Sequence, residues 1–276
     1  MLTILILMLV VGVTLGLLGG GGSILAVPVL VYAAGLSAKA AIATSLAVVG
    51  TTALFALIPH ARRGNVNWQI GAIFSITAMT GAYFGGIAAN WFSGRILLLI
   101  FAGIMLIASL AMLRDATKLQ PNLHQPIAFK LIIIEGLVVG MATGLVGAGG
   151  GFLIVPALVL LASMPMHTAI GTSLVVIALK SFAALAGHIT HVNIDFQLTL
   201  AITVAAICGS FVGALLANKV PAKTLRKTFA GFVMVMAVYI FWKEAGPLPA
   251  LGFGLVALVG VGILLGSNSS TTLQPQ

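Results

Sequence analysis

Two glycine runs carry the first chemical signal in this chain, Gly19-Gly20-Gly21-Gly22-Ser23 and Gly147-Ala148-Gly149-Gly150-Gly151. Each interrupts an apolar stretch and is followed by a short apolar segment, 24–35 in the first case and 152–163 in the second. A glycine run unwinds a helix and leaves backbone N–H and C=O groups that lipid cannot satisfy, so protein, water or substrate must do so. The half-helix that begins after each run presents free N–H groups and the positive end of its dipole, which attract anions. Gly20, Gly21, Gly22 and Ser23, with Gly149, Gly150 and Gly151, are therefore candidates for a substrate site. The plainer reading is that the glycines only let helices pack closely. Thr44-Ser45 and Thr172-Ser173 follow the two runs at equal spacing, near the start of the next apolar segment. There a hydroxyl either caps or back-bonds to its own helix or meets a ligand.

Two ionisable groups fall inside apolar spans. Lys180 is the thirteenth residue of the segment 168–187, about 18 Å along it at helical rise and so near the bilayer centre. Glu135 lies nine residues into 127–146. Charges at such depth are costly and mark function by default: Lys180 as the holder of an anionic group, Glu135 as carrier of a coupling proton. A structural ion pair between the two is the alternative. His60 and His188 each end a long apolar segment and read as interfacial residues rather than metal ligands. His191 and Asp195, near His188, have no spacing specific to a metal site, so no metal and no cofactor are expected.

The elements that position these residues must be membrane helices. Of 276 residues 61% are hydrophobic and 6% charged, whereas a soluble domain carries about 25% charge. The net charge of +9 sits in short clusters between apolar runs, which set membrane orientation and do not suggest a nucleic-acid partner. With Cys208 as its single cysteine the chain has no intrachain disulfide. Spans of roughly 20 apolar residues fall at 41–59, 69–91, 96–113, 127–146, 168–187, 197–218, 225–242 and 249–266, with 2–18 read as a retained helix. Trp68, Trp91 and Trp242 sit at segment ends, as an interfacial aromatic belt requires.

A shift of 128 residues aligns 12–103 with 140–231 without a gap and gives 32 identities over 92 positions. The matches select glycines, prolines and amides: Gly16/Gly144, Pro28/Pro156, His60/His188, Asn65/Asn193, Gly81/Gly209 and Asn90/Asn218 among them. Thr52 and Leu7 occupy the places of Lys180 and Glu135, so those charges break the symmetry. The loop with Arg62 and Arg63 in the first copy has no Lys or Arg in the second, where the next loop holds Lys219, Lys223, Arg226 and Lys227. The positive-inside rule then places the copies upside down relative to each other. The expected fold is all-α: a polytopic membrane protein of two inverted repeats, 1–118 and 119–246, each of about five segments with one short and glycine-broken, plus a final helix and polar tail, 247–276. The N-terminus is expected outside and the C-terminus inside. Inverted repeats with glycine-broken segments at matching positions point to a secondary transporter with its substrate near the midplane.

The stretch Gly16 to Pro28 (GLLGGGGSILAVP) followed by Ala41 to Ser45, and its second copy Gly144 to Pro156 (GLVGAGGGFLIVP) with Ala169 to Ser173, resemble the TauE/SafE family of sulfite exporters and toluenesulfonate-uptake permeases. The similarity runs over nearly the whole chain. It implies a bacterial-type inner-membrane permease for small sulfur-containing anions such as sulfite, sulfoacetate or other organosulfonates. From the family only the glycine motifs and the Thr-Ser pairs are carried over. A permease for another small anion or metabolite, and a membrane enzyme or non-transporting subunit, are the competing readings. Walker-type and Ser/His/Asp constellations are absent and the few titratable groups form no acid/base pair, so no enzyme is expected. The partners expected are a small anion and the lipid bilayer.

Overall fold

The computed structural model describes residues 1–18, 21–113, 129–147, 149–161, 164–189, 192–216, 222–246, 249 and 252–257, and among these every regular element is helical. They are α1 (Leu2–Leu18), α2 (21–33), α3 (Ala38–Arg62), α4 (Trp68–Ala88), α5 (Gly94–Leu113), α6 (Phe129–Val146), α7 (Gly151–Leu161), α8 (Met166–His188), α9 (Phe196–Leu216) and α10 (Ala222–Ala245). Among the described residues, five stretches are long and apolar enough to cross a membrane: Ala38–Arg62, Trp68–Trp91, Gly94–Ala111, His167–His188 and Phe196–Leu216. The chain is an all-α, multi-pass membrane protein. Gly20, His191 and the polar linker from Arg114 to Pro126 lie outside the described residues, and of the expected final helix only 249 and 252–257 are described, as helix.

Helix starts follow from local chemistry. Ser37, Asn67 and Asp195 cap α3, α4 and α9 by accepting from the N–H of Ala40, Ile70 and Leu198 at 3.4, 3.1 and 3.0 Å. Such caps satisfy donors that have no carbonyl one turn earlier. The turn after α3 needs Gly64, whose φ of +72° is open only to glycine at low cost. α2 is composite, running from a 3₁₀ turn (Gly21–Leu25) through one α turn (Ala26–Pro28) to a π turn (Val29–Ala33). Pro28 has no N–H to give and its ring crowds the carbonyl one turn back, and the helix changes pitch there.

The 128-residue offset carries the ends of α4 onto those of α9 and superposes each of α1, α2, α3 and α5 on α6, α7, α8 and α10. The chain divides into two compact units that cut across the repeats. One, Met1–Leu97 with Pro121–Val220, holds α1–α4 and α6–α9; the other, Leu98–Gln120 with Pro221–Gln276, holds most of α5 and α10. In the second unit Phe241 stacks on Phe253 with ring centroids 4.2 Å apart.

In the first unit helices approach through small residues. Gly12 and Gly16 of α1 lie against the carbonyls of Ala206 and Ser210 on α9, while Gly209 and Gly213 return the approach to Leu9 and Val13. The equivalent set joins α6 to α4: Gly140 and Gly144 against Ala78 and Ala82, Gly81 and Gly85 against Leu137 and Met141. Lipid tails are as apolar as leucine, so close backbone packing of this kind holds such helices together. Numbers rise together in both pairs, so α1 runs parallel to α9 and α6 to α4. Gly71 adjoins Thr172 and Gly86 adjoins Ala184, which makes α4 parallel to α8. Gly50 adjoins Ser181 and Gly171 adjoins His60, so the equivalent helices α3 and α8 are antiparallel. With α6 and α8 parallel, the chain between them must return, and the 11 residues of α7 supply about 16 Å of that path.

Candidate functional site

The second glycine run is held in a conformation that only glycine takes easily. Gly147, Gly149 and Gly150 have φ of +73°, +44° and +67°, where a side chain costs roughly 1–2 kcal/mol even in open space. The last bond of α6 in this region runs from Gly147 N–H to the Thr143 carbonyl at 2.9 Å, and α7 begins with Leu153 N–H donating to Gly150 at 3.0 Å. Between them the backbone leaves the helical ladder. The first repeat grips this break: Ser45 Oγ lies 2.8 Å from the Gly147 carbonyl and 2.8 Å from that of Ile42. A Cβ at Gly149 would run into Ser23 and Val49, and one at Gly150 would lie 2.7 Å from Lys180 Nζ. The two glycine-broken segments therefore meet, Ser23 against Gly149, beside the crossing of α3 and α8.

Lys180 is only 1% exposed. Its ammonium donates to Thr143 Oγ1, its one hydrogen-bond partner among the described residues. An ammonium carries three donors, and one buried without a counter-charge is held at high cost in a membrane interior. Glu135 does not supply that charge: it lies half-buried on α6, eight residues before Thr143 and so about 12 Å away along the helix. Its neighbours Ile134 and Val138 are exposed, which places it at the edge of the outward face of α6. The alternative reading, an ion pair between the two, is not formed.

The Thr-Ser pairs make hydrogen bonds both within their own helices and across to neighbouring segments. Thr44, Ser45, Thr172 and Ser173 are all buried. Ser173 Oγ donates to the Ile170 carbonyl at 2.7 Å, a bond within its own helix, while Thr172 Oγ1 accepts from Asn67 N–H at 2.9 Å and ties α8 to the start of α4. Ser45 faces the glycine break directly. In the first repeat Gly21 opens the 3₁₀ turn, and a Cβ at Gly22 would strike Thr14 and Leu15, so this run folds back on the last turns of α1.

Thr143 was not legible as a site residue, yet a signal existed. Lys180 and Thr143 replace Thr52 and Leu15 of the first copy, so the two copies differ jointly at two positions that touch. Both histidines, in the last turns of α3 and α8, are buried within the bundle, and each turns toward a carbonyl in the last turn of a broken helix. His188 Nε2 is 2.9 Å from the Gly144 carbonyl. His60 faces that of Gly16 without reaching hydrogen-bond geometry, and its ring nitrogens have no partner among the described residues. Asp195 serves as the cap of α9, and among the described residues no group of three His, Cys, Asp or Glu could hold a metal ion.

The arrangement sets two helix breaks against each other beside a buried lysine. The family described as sulfite exporter TauE/SafE matches residues 4–240. A probable membrane transporter protein of Xylella fastidiosa is 36% identical over 246 residues, covering 87% of this chain and 94% of that protein. The probable membrane transporter proteins YdhB of Bacillus subtilis and MJ0441 of Methanocaldococcus jannaschii are 26% and 28% identical, over 81% and 87% of this chain and 93% and 96% of their own. No solved structure matches the chain.

Proposed function

The chain belongs to the sulfite exporter TauE/SafE family, and from that premise we propose that it is a secondary transporter of small sulfur-containing anions such as sulfite, sulfoacetate or other sulfonates. The observation that carries the reading is Lys180, buried beside Gly150 with one hydroxyl for a partner. A sulfonate or sulfite seated there supplies the missing counter-charge. The N–H groups at the start of α7 then face its oxygens, in the manner of anion sites at helix N-termini.

Movement follows from the repeats. We take them as inverted in the membrane, the N-terminus outside and the C-terminus inside, in a bacterial-type inner membrane. The unequal loop charges support this, and so does the antiparallel packing of α3 on α8. Alternating access then consists of one repeat's broken segment opening toward one face while the other closes, around an anion at the midplane. Glu135 is our candidate for the coupling proton. Its position apart from Lys180 leaves its charge state free to change without competing for the same cation.

Reconstitution into vesicles with uptake of labelled sulfite, sulfoacetate, thiosulfate, taurine and plain carboxylates tests the proposal. Flux of the sulfur anions and its loss in Lys180→Met are expected. Flux of carboxylates alone would reassign the substrate to another small anion, and no flux with any of them would remove the transport reading.

A further inference from the structure

Thr52 stands 128 residues before Lys180, at the same place on α3 that Lys180 holds on α8. Both lie within a turn of the crossing where Gly50 adjoins Ser181. Thr52 is 1% exposed, and its Oγ1 has no hydrogen-bond partner among the described residues. Ser75 and Ser181 share that state, but several threonines do not. Thr77, Thr80, Thr143 and Thr203 each donate to a carbonyl three or four residues earlier, at 3.0, 2.9, 2.6 and 2.6 Å, the bond a helical threonine makes most readily. Thr52 forgoes it and keeps a buried donor free, a costly state that calls for a ligand.

The direction of that donor follows from the repeat. Lys180 reaches toward Gly150 of the second glycine run, and the equivalent heading from position 52 is toward Gly22 of the first. The two runs meet where Ser23 adjoins Gly149, so a side chain at position 52 with that heading would approach the surroundings of Lys180. The chemistry of the two copies differs. The second has an ammonium and the Thr143 hydroxyl, whereas the first has the Thr52 hydroxyl and the apolar Leu15.

We propose that Thr52 completes the anion site from the first repeat and makes it directional: the charged head of the substrate lies at Lys180, and an uncharged, hydrogen-bonding end lies at Thr52. The inference rests on the transport reading above and narrows its substrate class to monoanions with a polar second end. A dianion would find one cation for two charges, and a purely apolar tail would leave the Thr52 hydroxyl unpaired.

Binding of 2-hydroxyethanesulfonate and ethanesulfonate to the purified full chain tests this, in wild type, Thr52→Val, Lys180→Thr and the exchange variant Thr52→Lys with Lys180→Thr. Wild type is expected to favour the hydroxylated sulfonate by roughly 3- to 10-fold, the worth of one hydrogen bond. Thr52→Val, nearly isosteric, brings the hydroxylated sulfonate down to the affinity of ethanesulfonate. Lys180→Thr weakens both by about 10-fold or more, and the exchange variant recovers binding, because the cation has moved to the equivalent place. Thermal unfolding of each variant establishes that it is folded. A preference that survives Thr52→Val, or a folded exchange variant that recovers nothing, overturns the role of Thr52 while Lys180 keeps its own. Loss of nothing in Lys180→Thr overturns the anion reading instead. Should wild type bind neither sulfonate, 3-hydroxypropionate against propionate makes the same comparison, and equal affinity for that pair, or no binding, counts against Thr52.

Discussion

At the second glycine break Gly150 faces Lys180 and Thr143; at the first, Gly22 packs on Leu15, and Thr52 stands in the place of the lysine. The backbone device is common to both copies. The small residues at 12, 16, 81 and 85 make the same approaches as those at 140, 144, 209 and 213, so the duplicated scaffold kept its packing while the side chains set against the breaks diverged. His188 and His60 show the same division, the first bonded to a carbonyl of the broken helix it faces and the second without a hydrogen-bond partner among the described residues. In this chain symmetry belongs to what holds the breaks open, and asymmetry belongs to what the breaks face.

The most disruptive way to break the comparison is at the glycines. Gly150→Ala adds a Cβ at φ +67° within 2.7 Å of Lys180 Nζ and 2.6 Å of Thr143, and we expect a loss of several kcal/mol of stability with no transport. Gly35→Ala, at φ +70° with nothing within 4 Å, should cost only about 1 kcal/mol. Thermal unfolding of the two proteins side by side separates crowding from backbone strain.

The next effect concerns the cation. Lys180→Met is expected to abolish anion transport and to raise the melting temperature by a few degrees, since it removes a buried charge with no carboxylate beside it. A fall in melting temperature would mean that Lys180 has a structural partner. At Glu135, exchange for Gln is expected to remove the acceleration of flux by an imposed pH gradient, measured in vesicles with and without that gradient. The smallest effect separates the histidines. His188→Gln should cost about 1 kcal/mol, the worth of its bond to Gly144, and His60→Gln close to nothing, as read from paired unfolding curves.

Much of this fold was legible because it is written in backbone chemistry. Glycine runs, prolines and caps act locally, so α4 and α9 fall where the 128-residue offset requires, and Asn67 and Asp195 cap them as equivalents. The burial of Lys180 was legible as well, because depth in an apolar segment needs only counting. The side-chain headings were not. That Ser45 reaches the Gly147 carbonyl as well as its own helix, and that the histidines turn toward carbonyls of neighbouring helices, depends on how α3 and α8 cross, which no periodicity in either helix records. Thr143 was missed for the same reason: a threonine beside a glycine motif looks like any other until the lysine 37 residues later is seen to reach it.

The central claim is that one buried ammonium beside a glycine break seats the transported anion. Equilibrium binding of labelled sulfite and 2-hydroxyethanesulfonate to detergent-purified wild type and Lys180→Met tests it most directly. The account predicts saturable binding of at least one of the two anions in wild type and a loss of about 100-fold or more in a folded Lys180→Met protein. Equal affinity in the two proteins would contradict it.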